Sequence, residues 1–307
     1  MNEPRISVIV PFYNAQPYIE ECIKGLLAQE YPVAQYEIIM VDNNSTDDSA
    51  KVVMRSPRIR LLSETRQGSY AARNNGMRKA KGDIIAFTDP DCIPDSDWLR
   101  KIALAFSDSD VGVVIGRQQF AQQSFSLSFL EAYENEKNKY VFNSEIRDVY
   151  FGHTNNMAVR KKLFEDVGPF IERSRGSDTI FVRQCVDSYF CRIVRYYPEI
   201  RVRHMEIDSL LKYFRKVFIY GNSRRRYKHI YNTRPLTNQE RFRVFRRTIQ
   251  GQRYSWLQSV FFFGLLIVGL MCWNLGSVNA ARFTKEETGR KYPKPARPFH
   301  RRVDSLP

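Results

Sequence analysis

Asp89 and Asp91 stand one residue apart at the end of a short apolar run, Gly82-Asp83-Ile84-Ile85-Ala86-Phe87-Thr88-Asp89-Pro90-Asp91-Cys92. A buried strand delivers whatever follows it to a fixed place, so the two carboxylates reach a strand tip together. Paired carboxylates there suit a hard divalent cation that holds a diphosphate. The implied chemistry is that of an enzyme handling an activated phosphate ester.

The elements around the pair follow from hydrophobic pattern. Residues 6–10 predict a buried strand ending at Pro11. Pro17 opens a helix whose apolar face is Ile19, Cys22, Ile23, Leu26 and Leu27. Strands are predicted at 36–41, 58–62, 83–88 and 111–117, with helices at 47–54, 69–80 and 95–106. Alternating strands and helices mean crossover units and a mostly parallel sheet flanked by helices. Ligands bind outside the carboxyl ends of such strands, where Asp42, Asp89 and Asp91 all fall. Residues 118–150 predict a polar helical stretch and 152–158 a loop running into a short strand. A helix starts near Ser177, residues 192–203 read as strand, and a basic helix covers about 207–230.

Four motifs in one order resemble family 2 glycosyltransferases with the GT-A fold, over roughly residues 5–205. They are Val8-Ile9-Val10-Pro11-Phe12-Tyr13-Asn14, Val41-Asp42-Asn43-Asn44-Ser45-Thr46-Asp47, Gly68-Ser69-Tyr70-Ala71-Ala72-Arg73-Asn74-Asn75-Gly76, and the Asp89-Pro90-Asp91 tip. The resemblance implies an α/β nucleotide-diphospho-sugar transferase fold with a donor half at about 1–117 and an acceptor half at about 118–205. Pro11, Tyr13, Asn14, Asp42, Asn44, Gly68, Arg73 and Asp89 then fall on the donor side. Asp42 takes the position that bonds the nucleotide base, and a carboxylate accepts from the imide N–H of a uracil. Its alternative is a turn built with Ser45. Arg73 falls beside the donor diphosphate, which a guanidinium can grip with two bonds, or else it is a solvated surface arginine.

The same resemblance makes Asp89 and Asp91 ligands of Mn²⁺ or Mg²⁺. His204 is a candidate third ligand that would favour Mn²⁺, or a structural histidine. The run Arg175-Gly176-Ser177-Asp178-Thr179-Ile180-Phe181 matches a Glu-Asp pair opening a helix, with Ser177 in the glutamate position. Asp178 is the expected general base toward an acceptor hydroxyl, or a helix cap. His153, Asn155 and Ser177 fall on the acceptor side. The implied reaction is a metal-dependent, inverting transfer of a sugar from a nucleotide diphosphate to a hydroxyl. Two other classes remain. A sugar-1-phosphate nucleotidyltransferase needs a Gly-rich basic loop where Pro11-Phe12-Tyr13-Asn14 stands. A non-catalytic sugar-binding scaffold fits Ser177 and is opposed by the intact aspartate pair.

The 307 residues carry a net charge of +15, which is unevenly placed. Residues 1–204 hold 27 basic and 27 acidic residues, whereas 205–307 hold 21 and 6. The odd number of cysteines, five with no CxxC pair, argues against a disulfide framework or zinc site and for a reducing compartment. Residues 206–253 predict basic amphipathic helices. Residues 254–276 are uncharged and long enough to be a transmembrane or interfacial helix, and 277–307 form a basic, flexible tail. Basic residues before the apolar segment place that side, and with it the catalytic domain, in the cytoplasm against anionic lipid. No nucleic-acid motif accompanies the charge, and no secretory leader is visible. A membrane-linked acceptor, a lipid-carried glycan or a polysaccharide, explains the tail.

Overall fold

A computed structural model describes residues 3–283 except 123, 174, 228–230 and 232. The flexible tail expected over 277–307 lies outside the described residues from 284 onward. Two compact units are present. Among the described residues, one comprises 3–119 and 151–205, the other 120–150 and 206–283. Residues 120–150, expected within an acceptor half, thus group with the basic C-terminal part.

The first unit is built on β1 (Ile6–Phe12), α1 (Ile19–Leu27), β2 (Tyr36–Asp42), α2 (Ser49–Met54), β3 (Ile59–Ser63), α3 (Ser69–Lys79), β4 (Ile84–Thr88), β5 (Cys92–Pro94) and α4 (Trp98–Ala105). It continues through β6 (Val113–Phe120), β7 (Asn156–Arg160), α6 (Lys161–Val167), α7 (Ser177–Tyr189) and β8 (Val194–His204). The sheet runs β3-β2-β1-β4-β7-β6-β8-β5. Its β3-β2-β1-β4 part is parallel, and every residue of β1 and β4 is buried, as expected of strands covered on both faces. The other pairings, β4–β7, β6–β7 and β5–β8, are antiparallel, so the sheet is mixed. The helix face Ile19, Cys22, Ile23 and Leu26 is buried as its spacing predicts.

Register sets the site. Phe12 pairs with Asp42 and Asp42 with Ser63, so β1, β2 and β3 end together, while β4, with Phe87 beside Ile9, stops short of them. On the far side, Cys92 pairs with His204 across β5 and β8. The centre is tied by Asn156: its Oδ1 accepts from the buried Trp98 Nε1 at 2.9 Å, and its Nδ2 donates to Arg117 O and Ile200 O, each at 2.9 Å. Short β5 and α6 carry too few residues for a periodic signal.

The second unit contains α5 (Phe125–Phe142), α8 (Leu210–Tyr227), α9 (Asn238–Gln252) and α10 (Trp256–Phe283). The stretch expected to be polar is different in α5, which buries Leu127, Phe129, Leu130, Tyr140, Val141 and Phe142. The basic helix expected over 207–230 is α8, ending at Tyr227. A capping box starts α9: Glu240 N donates to Thr237 Oγ1 at 3.2 Å and Thr237 N to Glu240 Oε2 at 2.6 Å. Arg234 bonds both Glu240 oxygens and Asp148, and holds the Glu240 carboxyl down at about 2. Among the described residues, Trp256–Ala280 is the one helix long and apolar enough to cross a membrane, judged by length and composition.

Trp98→Phe keeps most of the ring's packing and leaves Asn156 Oδ1 without its donor. A buried acceptor left unsatisfied costs about 1–3 kcal/mol. Urea unfolding of the variant should show a lower midpoint with an unchanged slope; an unchanged midpoint contradicts this role of Asn156.

Candidate active site

The Asp89-Pro90-Asp91 tip is a tight turn closed by Cys92 N donating to Asp89 O at 3.1 Å, with proline in its favoured second place. The turn aims its two carboxylates at different partners. Asp89 Oδ1 takes the buried Arg73 Nη2 at 2.5 Å, and the Arg73 guanidinium lies 5.2 Å from the Tyr70 ring centre. Asp91 instead faces β8, with Oδ2 3.6 Å from the buried His204 Nδ1 and Oδ1 3.7 Å from Cys92 Sγ. Met205 N donates to the Asp91 carbonyl at 2.7 Å and locks the turn onto the end of β8.

Among the described residues, Asp91, Cys92 and His204 form the group whose ligand atoms lie within 4.8 Å of one another. Of the expected Asp89, Asp91 and His204, this group holds Asp91 and His204 with Cys92 beside them, while Asp89 Oδ1 is paired to Arg73. A carboxylate, an imidazole and a softer thiol together fit a divalent transition ion better than Mg²⁺. Arg73 is not the solvated surface residue of the alternative reading, being buried and paired.

Asp178 is the second residue of α7, which Gly176 enters in the left-handed region at φ 85°. Thr179 N donates to its Oδ1 at 2.8 Å, and the Tyr70 phenol lies beside its carboxylate. Burial raises the Asp178 carboxyl above its ordinary value, opposed by the Thr179 bond, by the neighbouring Tyr70 hydroxyl and by the charge of Arg73. Burial likewise pushes the Tyr70 phenol well up. Gly152 lets its loop lie on the start of α7, since a Cβ there would sit 2.6 Å from Asp178 O.

A latch holds the loop before α7. Asn74 Nδ2 donates to Phe170 O at 2.8 Å, and Arg66 bridges Glu172 at 2.7 Å and Glu64 at 2.8 Å. Arg66 holds the Glu64 carboxyl down at about 2. Ser177 is buried and its hydroxyl donates to Ile171 O, which gives it a part in this latch. Asn155, also buried, accepts from Gln118 Nε2 at 2.7 Å, and His153 Nε2 lies 3.3 Å from Gly116 O.

On the side of the parallel strand ends, Asp42 Oδ1 accepts from Ser45 N at 2.9 Å, so the turn reading of Asp42 holds for one of its oxygens. Asn14 and Asn44 adopt positive φ, at 48° and 67°. Asn14 Oδ1 accepts from Thr46 N at 2.8 Å, and Asn44 Nδ2 donates to Thr65 O at 2.9 Å. Pro11 is buried in β1 and Tyr13 is exposed. Gly68, at φ 136°, caps α3 and donates to Asn43 Oδ1 at 2.7 Å. Asn43, Tyr70, Cys92 and the Arg66 latch were not singled out by spacing. Tyr70 and Asn43 lie within the quoted motifs, whereas Cys92 becomes visible only through its cross-strand pairing with His204.

A family model described as glycosyl transferase family 2 matches residues 7–168. The glycosyltransferase AglE of Haloferax volcanii is 32% identical over 191 residues, which span 60% of this chain and 62% of that protein. A poly(ribitol-phosphate) β-N-acetylglucosaminyltransferase, TarS of Staphylococcus aureus, is 32% identical over 109 residues, 34% of this chain and 19% of TarS. The chain thus spans less than two thirds of the curated relatives it matches. Among solved structures, a mannosyltransferase of Pyrobaculum calidifontis in complex with GDP-Man and Mn²⁺ aligns with a TM-score of 0.63 and 20% identity. The alignment covers 94% of this chain and 89% of that one. TarS 1–349 in complex with UDP-GlcNAc aligns at 0.54 and 14% identity, covering 94% and 93%. These structures share the GT-A fold with this chain.

The nearness of Asp91, Cys92 and His204 predicts an order of effects on metal binding. In calorimetric titration with Mn²⁺, His204→Ala should weaken binding by about tenfold or more, equivalent to about 1.4 kcal/mol. Asp89→Asn should weaken it less. The reverse order contradicts the assignment.

Proposed function

The chain belongs to glycosyl transferase family 2, and we propose that it moves a sugar from a nucleotide-diphosphate donor to a hydroxyl acceptor with inversion at the anomeric carbon. The observation that carries this reading is the triple Asp178, Tyr70 and Arg73: a half-buried carboxylate of raised pKa is fixed beside a cation that is itself paired to the strand-tip Asp89. Asp178 takes the proton of the acceptor hydroxyl as that oxygen bonds to the anomeric carbon. The bond from that carbon to the diphosphate breaks, and the nucleotide leaves with the electron pair. Asp91 and His204, with Cys92 beside them, would hold a divalent cation, Mn²⁺ ahead of Mg²⁺. When bound, it supplies positive charge for the departing diphosphate.

Asp42 would face the nucleotide base with its second oxygen, which has no hydrogen bond among the described residues. Tyr13, Asn14, Asn44 and Gly68 would line the donor side with Pro11 behind them. His153 would reach the acceptor, while Asn155 and Ser177 support it through their neighbours rather than by direct contact. The acceptor is a lipid-carried glycan or polysaccharide. Membrane association through the apolar helix and the basic residues of 210–253, with the catalytic part in the cytoplasm, brings enzyme and acceptor together. A screen of nucleotide sugars for Mn²⁺-stimulated release of nucleoside diphosphate tests the reading; metal-independent release unaffected by Asp91→Ala overturns it.

Asp178→Asn removes the base and should lower kcat by about 10²–10⁴-fold. The Asp178 carboxyl must be ionised to act, so kcat/KM falls as pH drops through its raised pKa. Tyr70 donates to the ionised form and lowers that pKa. Tyr70→Phe should therefore move the acid limb of the kcat/KM profile to higher pH, and a shift to lower pH contradicts the pairing.

A further inference from the structure

We infer that α10 lies in the plane of an anionic phospholipid surface and does not cross the bilayer. This inference deepens the membrane reading given above and rests on it. Three observations within the second unit carry it.

The outer face of α10 is broadly apolar, with Trp256, Phe261, Phe263 and Val268 exposed on either side of a central line. Leu257, Val260, Ile267, Met271, Leu275 and Val278 are spaced at helical intervals and each is 41–64% exposed. The line is about 32 Å long at 1.5 Å per residue. The inner face is covered at both ends. Phe262 is fully buried, 5.7 Å from the Phe129 ring of α5 and 5.1 Å from Phe245 of α9. Further along, α8 and α10 meet backbone to backbone: a Cβ on Gly221 would collide with Trp273 O, and one on Gly276 with Phe218 O.

Two of the helices that cover α10, α8 and α9, are cationic. Helix α8 carries Lys212, Arg215 and Lys216 around Phe214, whose ring is 3.8 Å from the place of a Cβ on Gly269. Helix α9 carries Arg241, Arg243, Arg246 and Arg247. An upright α10 would draw Lys212 with its partner Asp208, Lys216 with its partner Glu206, and Arg215 into the hydrocarbon alongside it. Each such charge at the bilayer centre costs about 2.5–3.5 kcal/mol on insertion scales. With the helix flat, the exposed line enters the acyl boundary by about 5–10 Å and the charges stay at headgroup level. Arg243, Arg246, Arg247 and Arg253 are exposed, and such residues each gain about 1 kcal/mol near anionic lipid. That charge match selects an anionic lipid surface over a second copy of this equally basic unit.

The test uses the full chain in flotation with preformed phosphatidylcholine vesicles, with and without phosphatidylglycerol. Binding should be at least about tenfold stronger with the anionic lipid, and Met271→Glu with Leu275→Glu should lose it while Mn²⁺ binding stays unchanged. Spin labels at Leu257→Cys, Ile267→Cys and Leu275→Cys, in a Cys272→Ser background, should report one shallow depth. A deep Ile267 label between two shallow ends overturns the in-plane placement and leaves the membrane reading standing. Absence of flotation with either vesicle overturns the membrane reading itself. A lipid-free dimer that the two glutamates dissociate assigns the face to a second copy and overturns the inference.

Discussion

The ion pair between the buried Arg73 and the half-buried Asp89 is the contact on which the site depends. Arg73 projects from a helix into the interior, where an unpaired guanidinium is costly, and Asp89 supplies the compensating charge at 2.5 Å. Removing one member of such a pair costs about 3–5 kcal/mol because the other is left buried alone. The pair joins α3 to the tip of β4 and so fixes where the turn points Asp91. The same arginine lies over Tyr70, which stands beside Asp178. One cation therefore sets the geometry of the metal-side turn and the electrostatics of the proposed base.

Much of the scaffold was legible from local pattern. The apolar runs at 6–10, 36–41 and 83–88 are long and uninterrupted because their strands are covered on both faces, and each ends at a polar residue of the site. Asp178 was legible because a helix opening after Gly176 leaves its side chain at a first turn. Three features were hidden because they are made by tertiary pairing. Which of Asp89 and Asp91 meets Arg73 depends on how the Pro90 turn rotates. The nearness of Cys92 to His204 depends on the antiparallel register of a three-residue strand. The part Ser177 takes in the latch depends on the Ile171 carbonyl arriving above it. Helix α5 misled for a related reason, since its polar residues are interleaved with aromatics whose partners lie far along the chain, in α9 and α10.

The charge split in the sequence corresponds to a division of labour. The unit that holds the carboxylates is close to neutral, with 24 basic and 22 acidic residues over 1–119 and 151–205. The unit that holds α8, α9 and α10 concentrates positive charge around one apolar helix. That combination favours an anionic lipid boundary, where apolar and cationic groups are both accommodated within a few ångströms of depth.

The central claim is that one carboxylate, Asp178, serves one displacement at the anomeric carbon. Proton NMR of the product formed from a donor of known anomeric configuration tests it most directly. A single displacement predicts the opposite configuration in the newly formed glycoside from the first turnovers onward. Retention of the donor configuration would contradict it, because that outcome requires a mechanism other than one displacement by the acceptor oxygen.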